Sequence, residues 1–215
     1  MAVEVKICGL STPETVDAAV AAGADLVGFV FFPRSPRNVS LEQAAALAAR
    51  ARGKAKIVTL VVDPDDALLS SIAARVDPDL IQAHGSETPA RVAEIARLTG
   101  KPVIKAIRVK DDADIAAAAD FSTVASLILY DAKAPETLGN ALPGGNGHAF
   151  DWGLLEGEKR PAFMLAGGLT PENVAEAIRV TGAPVVDVSS GVESAPGIKD
   201  IGLIRKFIEA AKAAR

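Results

Sequence analysis

Chemically reactive side chains stand at the ends of several apolar runs in this 215-residue sequence, and the first is Cys8, the only cysteine. Alternation along a strand over residues 3–8 places Glu4, Lys6 and Cys8 on one face, while the apolar residues between them face the covering helices. Because a nearby ammonium favours the thiolate, we expect Lys6 to lower the pKa of Cys8 from its usual value of about 8.5 and prepare it as a base. The alternative is that Cys8 is inert packing and that Lys6 pairs with Glu4.

Two further titratable side chains also follow apolar segments. Asp131 comes directly after residues 126–130, where a carboxyl group is costly to bury unless it is hydrogen-bonded or lies at an opening. It is therefore a candidate general acid or base, and a helix N-cap is the alternative. His84 follows residues 80–83 and is equally consistent with a structural or a functional role.

A basic loop follows the second apolar run. Residues 33–39 carry two prolines, which stiffen the backbone, and the two arginines Arg34 and Arg37. A guanidinium pairs well with a carboxylate or a phosphate because its N–H groups form a planar fork. The loop is therefore a candidate anion-binding site, and two solvated arginines are the alternative.

Glycine-rich loops near the C-terminus predict a second anion site. Gly167 and Gly168 follow one apolar run, and Ser190 and Gly191 follow the next. Ser190 and Glu193 have the spacing of a capping box, which predicts a short helix that starts there. Glycine lets backbone N–H groups approach a bound anion, and a helix N-terminus adds a favourable dipole. Together the two loops predict a phosphorylated ligand.

The elements that must position these residues alternate regularly. Three segments repeat one pattern, in which Thr12, Thr88 and Thr170 are each followed by proline, and we expect each threonine to be a helix N-cap. Apolar runs predict strands at 3–8, 26–31, 56–62, 80–83, 103–107, 126–130, 163–166 and 185–188. Helices are predicted near 13–22, 40–51, 65–76, 89–99, 111–119, 171–181 and 200–213. The glycine-rich stretch 132–157 is expected to hold at most a short helix near its end.

Eight such strand–helix units are typical of a (β/α)8 TIM barrel, an α/β fold whose active site lies at the C-terminal ends of the strands. The strands are mostly continuous apolar runs, as in a parallel sheet covered by helices. We therefore expect residues 1–215 to form one barrel domain. The alternative is an open doubly wound sheet, and the lack of a G-x-G-x-x-G motif after the first strand disfavours its dinucleotide-binding form.

The composition argues against several classes of function. The net charge is −4 and no basic block occurs, which argues against nucleic-acid and anionic-membrane partners. No apolar stretch approaches the roughly 18 residues that span a bilayer, and charged residues interrupt the N-terminus where a signal peptide would be apolar. A single cysteine cannot form an intramolecular disulfide, so we expect a reducing, cytoplasmic location.

The motifs occur in the order found in phosphoribosylanthranilate isomerase, and the sequence resembles that family over essentially its whole length. The matching motifs are KICG (6–9), SPR (35–37), QAHG (82–85), the aspartate at 131, GGNG (144–147), FDW (150–152), AGGL (166–169), DVSSGVE (187–193) and PGIKD (196–200). KICG together with SSGVE is specific to this enzyme among barrel families.

The resemblance implies an Amadori rearrangement in tryptophan biosynthesis. N-(5-phosphoribosyl)anthranilate would become 1-(2-carboxyphenylamino)-1-deoxyribulose 5-phosphate, with no metal or organic cofactor. The resemblance also implies that Asp131 is the general acid at the ribose ring oxygen and that Cys8 is the general base at C2. The substrate contacts that it implies are Arg37 for the anthranilate carboxylate, Asp187 near the sugar, His84 as a lining residue of unassigned role, and Gly167, Gly168, Ser190 and Gly191 for the phosphate.

Two other kinds of protein remain as alternatives. One is another phosphosugar barrel enzyme, either indole-glycerol-phosphate synthase or a histidine-pathway aminoaldose isomerase, which has an aspartate where this chain has Cys8. The other is a catalytically silent phosphate-binding barrel, which would lack the acid or the base that this sequence keeps. The alanine-rich helices and an aromatic content of 4% favour a monomer over a homodimer.

Overall fold

Eight parallel strands close into a barrel in the computed structural model of the protein, which describes residues 3–132, 144, 150–155 and 162–214. The strands are β1 (Glu4–Cys8), β2 (Leu26–Phe31), β3 (Lys56–Val61), β4 (Leu80–Ala83), β5 (Val103–Val109), β6 (Leu127–Ala132), β7 (Phe163–Leu165) and β8 (Val185–Val188). Neighbours pair in sequence order, and β8 pairs with β1 to complete the ring. The predicted (β/α)8 barrel is confirmed, and the open sheet is excluded because β1 is paired on both edges.

Helices connect most successive strands. The α-helices of the described residues are α1 (Pro13–Ala21), α2 (Leu41–Ala51), α3 (Asp66–Arg75), α4 (Pro89–Thr99), α5 (Asp112–Ala116), α6 (Val174–Thr181) and α7 (Ile201–Ala213). Short 3₁₀ helices occupy Ala117–Phe121, Trp152–Leu155 and Ser190–Val192, and a hairpin of β9 (Glu193–Ala195) and β10 (Ile198–Lys199) follows the last of them. No helix in the described ranges is both long enough and apolar enough to cross a membrane.

Two of the three predicted threonine caps are confirmed. Thr12 and Thr88 each accept a hydrogen bond from the backbone N–H three residues further on. Thr170 does not cap α6, because this helix begins only at Val174. The backbone N–H of Thr170 instead donates to Asn173 Oδ1 at 2.8 Å, so a turn closed by Asn173 precedes the helix.

The apolar core has an outer and an inner part. The larger cluster packs the strands against the helices, and the smaller one fills the barrel. The smaller cluster consists of Leu26, Val58, Ile104, Ala106, Leu129, Met164, Ala166 and Val185. Lys6 is a charged side chain in this interior and is fully buried. It stands opposite Asp187 in the register of β1 and β8, which places the two side chains on the same face of the sheet.

Replacement of Phe207 by alanine tests the packing of α7 against the barrel. Phe207 is fully buried on α7, which contacts β1 and the 3₁₀ helix Ser190–Val192. We expect Phe207→Ala to lower the free energy of unfolding by about 3–5 kcal/mol, because it removes a large apolar side chain and leaves a cavity. Equilibrium urea unfolding measures this loss. The matched variant Ile198→Ala, at an apolar side chain that is 60% exposed, should change the free energy by less than about 0.5 kcal/mol. Equal losses in the two variants would contradict this packing.

Candidate active site

One pocket at the C-terminal ends of the strands collects the predicted site residues. It encloses roughly 760 Å³ of space, part of which is open solvent at its mouth. Its lining includes all nine residues that the sequence predicts for the site: Cys8, Arg37, His84, Asp131, Gly167, Gly168, Asp187, Ser190 and Gly191. The barrel therefore brings together residues that are spread over most of the chain.

Lys6 is held inside the barrel by two partners. Its ammonium donates to Asp187 Oδ1 at 3.0 Å and to Gln82 Oε1 at 2.8 Å. Burial alone would lower the pKa of Lys6, but Asp187, and after it Cys8, raise this pKa above its usual value. Lys6 therefore provides a fixed positive charge beneath the pocket.

The expectation that the pKa of Cys8 lies below its usual value is wrong, although Lys6 by itself does lower this pKa. Burial raises the pKa of the Cys8 thiol above its usual value, and the ammonium of Lys6 lowers it too little to reverse this. The carboxylate of Asp187 raises the thiol pKa further, because a negative charge nearby disfavours the thiolate. Lys6 thus lowers the pKa of Cys8 as predicted, but burial determines the direction of the net shift. The alternative pairing of Lys6 with Glu4 is also wrong, because Glu4 pairs with Lys56 at the surface.

Asp131 lies at the end of β6 beside His84. Its Oδ2 is 3.1 Å from His84 Nε2, and its Oδ1 accepts a hydrogen bond from the backbone N–H of Ala132 at 2.9 Å. At the other edge of the ring, His84 Nδ1 is 2.8 Å from Gln82 Nε2. The N-cap alternative for Asp131 does not hold, because the residue belongs to a strand. The carboxyl group is instead buried, hydrogen-bonded and part of the pocket lining, so the cost of burying it is offset.

Arg37 is held in a second buried ionic cluster. Its Nε and Nη2 donate to the two carboxylate oxygens of Glu193 at 2.7 and 2.8 Å. Lys199 Nζ donates to Glu193 Oε1 at 2.6 Å and to the carbonyl oxygen of Ser189 at 2.8 Å. The predicted capping box is wrong, because the carboxylate of Glu193 binds Arg37 and Lys199 instead of capping a helix. The predicted short helix is confirmed, but it is a 3₁₀ helix of three residues, Ser190–Val192.

This cluster carries a net positive charge. Burial opposes ionisation of Glu193, but Arg37 and Lys199 hold the pKa of this carboxyl below its usual range. Burial lowers the pKa of Lys199 to about 8, with Glu193 opposing the shift. An arginine guanidinium stays charged at physiological pH, so below pH 8 two cations face one carboxylate. The pocket wall that holds Arg37 is therefore suited to an anionic group.

The loops after β7 and β8 form a glycine-rich wall. Gly167 and Gly168 have φ angles of +85° and +64°, in the left-handed region that favours glycine. Asn173 Nδ2 donates to the carbonyl oxygen of Gly168 at 2.9 Å and so holds this loop. Gly191 lies so close to the carbonyl oxygen of Leu169 that no side chain would fit. The two loops therefore present backbone rather than bulky side chains to the pocket.

Gln82, Lys199 and Asn173 support the site, although no role for them is predicted from the sequence; Gln82 and Lys199 do lie in the motifs QAHG and PGIKD. Gln82 carries a usable signal, because a polar residue in a buried apolar strand is costly unless it is hydrogen-bonded. Lys199 and Asn173 lie outside apolar strands, so burial gives no such signal for them. Their roles depend on partners that only the fold brings near.

The glycine-rich GGNG motif is described only at its first residue. A Cβ atom on Gly144 would lie within 2.7 Å of both Asp131 Oδ2 and His84 Nε2, so the backbone of this residue packs directly against both side chains. Residues 145–149, which complete the motif and include His148, lie outside the described residues. Within the described ranges, no three His, Cys, Asp or Glu side chains converge as a metal site requires.

Comparisons of the sequence point to one family. Residues 5–210 match the family model of N-(5'phosphoribosyl)anthranilate (PRA) isomerase. The N-(5'-phosphoribosyl)anthranilate isomerase of Rhodopseudomonas palustris (strain BisA53) is 57% identical over 99% of this chain and 97% of its own. The enzyme of the same name from Paramagnetospirillum magneticum is 55% identical over 100% of both chains.

Solved structures give the same result. The phosphoribosyl anthranilate isomerase of Thermotoga maritima is 36% identical and superimposes with a TM-score of 0.85 over 98% of each chain. A phosphoribosyl anthranilate isomerase in complex with reduced 1-(o-carboxyphenylamino)-1-deoxyribulose 5-phosphate is 34% identical, with a TM-score of 0.83 over 98% of each chain. Since both the family model and these relatives match nearly the whole chain, it belongs to the N-(5'-phosphoribosyl)anthranilate isomerase family.

Proposed function

We propose that this chain converts N-(5'-phosphoribosyl)anthranilate into 1-(2-carboxyphenylamino)-1-deoxyribulose 5-phosphate, with Asp131 as the general acid and Cys8 as the general base. The observation that carries this proposal is the position of these two residues. They come from β1 and β6, which are separated in the ring by β7 and β8, and both line the same pocket. A sugar bound between them can receive a proton from one side and lose a proton to the other.

The first step opens the ribose ring. Asp131 gives its proton to the ring oxygen as the bond from this oxygen to C1 breaks. The lone pair of the anilino nitrogen then forms the C=N bond of a protonated Schiff base. The carboxylate that remains is stabilised by the N–H of Ala132 and by the imidazole of His84.

The second step removes a proton from C2. The thiolate of Cys8 takes this proton, the C–H electron pair forms the C1=C2 bond, and the C=N pair returns to nitrogen. The resulting enolamine becomes the ketone when the hydroxyl proton on C2 passes to solvent and C1 takes a proton from solvent. Cys8 then gives up the proton it took and Asp131 regains the one it gave, so both groups are reset. Substrate and product are isomers, so the reaction consumes no oxidant or reductant. Lys6 supplies the positive charge that favours the thiolate.

The two anionic ends of the substrate have matching walls in the pocket. The net positive cluster around Arg37 is suited to the anthranilate carboxylate. The backbone N–H groups of the glycine loops are suited to the phosphate; these loops contain Gly167, Gly168, Ser190 and Gly191. Asp187, which Lys6 holds in place, lines the pocket where the sugar hydroxyls would lie.

The remaining expectations belong to the same proposal. Residues 1–215 act as one catalytic domain, which is supported by the pairing of β1 with β8. The partner is a small phosphorylated molecule, without a nucleic acid, a membrane, a metal or an organic cofactor. The protein is proposed to act as a monomer in the cytoplasm. Cys8 at the end of β1 favours this reaction over that of the histidine-pathway isomerase, which has an aspartate at this place.

Loss of either proton-transferring group should abolish most of the turnover. We expect Cys8→Ser and Asp131→Asn each to lower kcat by about 10²–10⁴-fold, the usual contribution of a general acid or base. Binding of the reduced product analogue, measured by calorimetry, should persist because both variants keep the pocket's shape. The wild-type gene should restore growth of a tryptophan auxotroph that lacks the isomerase, and the variants should not. Near-normal kcat in a variant would refute the role of that residue.

Titration of the only thiol should show the balance between burial and Lys6. Thiolate absorbance in the ultraviolet reports Cys8 alone, because the chain has one cysteine. We expect a pKa above the usual value of about 8.5, so that the thiolate fraction increases only at alkaline pH. Lys6→Met should raise this pKa further by removing the ammonium, whereas Lys56→Met at the surface should leave it unchanged. A wild-type pKa below 8.5 would contradict the dominance of burial.

The carboxylate site can be tested with two arginines of one loop. Arg37→Met should raise KM about 10–100-fold, which corresponds to the loss of a hydrogen bond to a charged group. Arg34→Met, at the exposed arginine of the same loop, should leave KM unchanged. The effect of Arg37→Met should disappear with N-phosphoribosylaniline, which lacks the carboxylate. An equal loss with both substrates would show that Arg37 does not bind this group.

A further inference from the structure

A continuous chain of buried polar side chains crosses the barrel from the base side to the acid side. It runs Asp187, Lys6, Gln82, His84 and Asp131, with successive donor–acceptor distances of 3.0, 2.8, 2.8 and 3.1 Å. Gln82 is at its centre and is fully buried. The steps of the proposed reaction assign no role to this glutamine.

The direction of the hydrogen bonds is determined from the Lys6 end. An ammonium offers donors and no acceptor, so the amide atom of Gln82 that faces Lys6 must be its oxygen. The amide nitrogen of Gln82 therefore faces His84 Nδ1. Since an amide nitrogen can only donate, His84 Nδ1 must accept.

This direction selects one tautomer of His84. A neutral imidazole carries hydrogen on one nitrogen only, and the other nitrogen is the acceptor. With Nδ1 accepting from Gln82, the hydrogen lies on Nε2, which faces Asp131 Oδ2 at 3.1 Å. The imidazole therefore donates to one oxygen of Asp131, while the N–H of Ala132 donates to the other.

We propose that Gln82 is a positioning residue for the acid step and that it holds His84 as the Nε2–H tautomer, so that a donor always faces Asp131. This donor gains strength when Asp131 loses its proton, because a hydrogen bond to a carboxylate is stronger than one to a neutral acid. The opposite tautomer would present a lone pair to Asp131 and an N–H to the amide donor of Gln82. The inference rests on the proposed role of Asp131 as general acid.

Nitrogen NMR of protein labelled with ¹⁵N-histidine tests the tautomer directly. The chain has two histidines, and the variant His84→Gln assigns the signals. At alkaline pH, where imidazole is neutral, wild-type His84 should carry its hydrogen on Nε2. Gln82→Glu should move the hydrogen to Nδ1, because one carboxylate oxygen can accept from Lys6 and the other from the ring.

Kinetics connect the tautomer to the reaction. Gln82→Glu should lower kcat roughly 10–100-fold through loss of the donor to the developing carboxylate, with KM within about threefold of wild type. Gln82→Met, which removes both hydrogen bonds without adding a charge, should give mixed tautomers and an intermediate kcat. The matched control is Gln43→Glu, at the exposed glutamine of α2, which should change neither the His84 signals nor kcat.

Three results would overturn the proposal: hydrogen on Nδ1 of His84 in the wild type, retention of the Nε2–H form in Gln82→Glu, or a change of tautomer without loss of kcat. If Gln82→Glu does not fold, the wild-type spectrum and Gln82→Met decide the question. Failure of the proposed function would give a different result, namely full turnover in Asp131→Asn while the spectra of His84 are as expected.

Discussion

The buried ammonium of Lys6 is the constraint on which the rest of the site depends. A charge inside an apolar barrel is costly unless it is paired and hydrogen-bonded, and Lys6 is fully buried. Its two partners come from the adjacent strand β8, through Asp187, and from β4 across the barrel, through Gln82. Because Gln82 in turn contacts His84, the stabilisation of one charge orients polar side chains on both sides of the pocket.

The same ammonium acts on the thiol in competition with burial. Desolvation disfavours the thiolate of Cys8 more strongly than Lys6 favours it, and Asp187 offsets part of the positive charge. A thiol with a raised pKa is a stronger base once it is ionised, although less of it is ionised at neutral pH. The position of Lys6 between Asp187 and Cys8 therefore limits how far the ammonium can favour the thiolate.

A second ionic cluster surrounds Arg37, for which we propose carboxylate binding, and it is linked to Cys8 through hydrogen bonds of Ser189. Glu193 and Lys199 come from the hairpin of β9 and β10 and hold Arg37, which lies in the loop after β2. Lys199 also donates to Ser189, whose hydroxyl donates to the carbonyl oxygen of Cys8 at 3.2 Å. These hydrogen bonds thus hold together three segments: the hairpin of β9 and β10, the loop after β2 that carries Arg37, and the end of β1 that carries Cys8.

Local patterns in the sequence predict the eight strands, most helix bounds and eight of the nine predicted site residues, and the family resemblance adds Asp187. They do so because apolar runs and caps depend on near neighbours, and because the strand ends of a parallel barrel meet at one face. The partners of the charged groups are not predictable in this way. Glu193 has the local spacing of a capping box, yet it binds Arg37, which is 156 residues away in the sequence. The partners of Lys6 are 76 and 181 residues away. The direction of the pKa shift of Cys8 likewise depends on how completely the folded barrel excludes water. The sequence by itself thus determines the barrel and the identity of the reactive groups, whereas only the tertiary structure decides their pairing and charge, because both depend on groups that folding brings together.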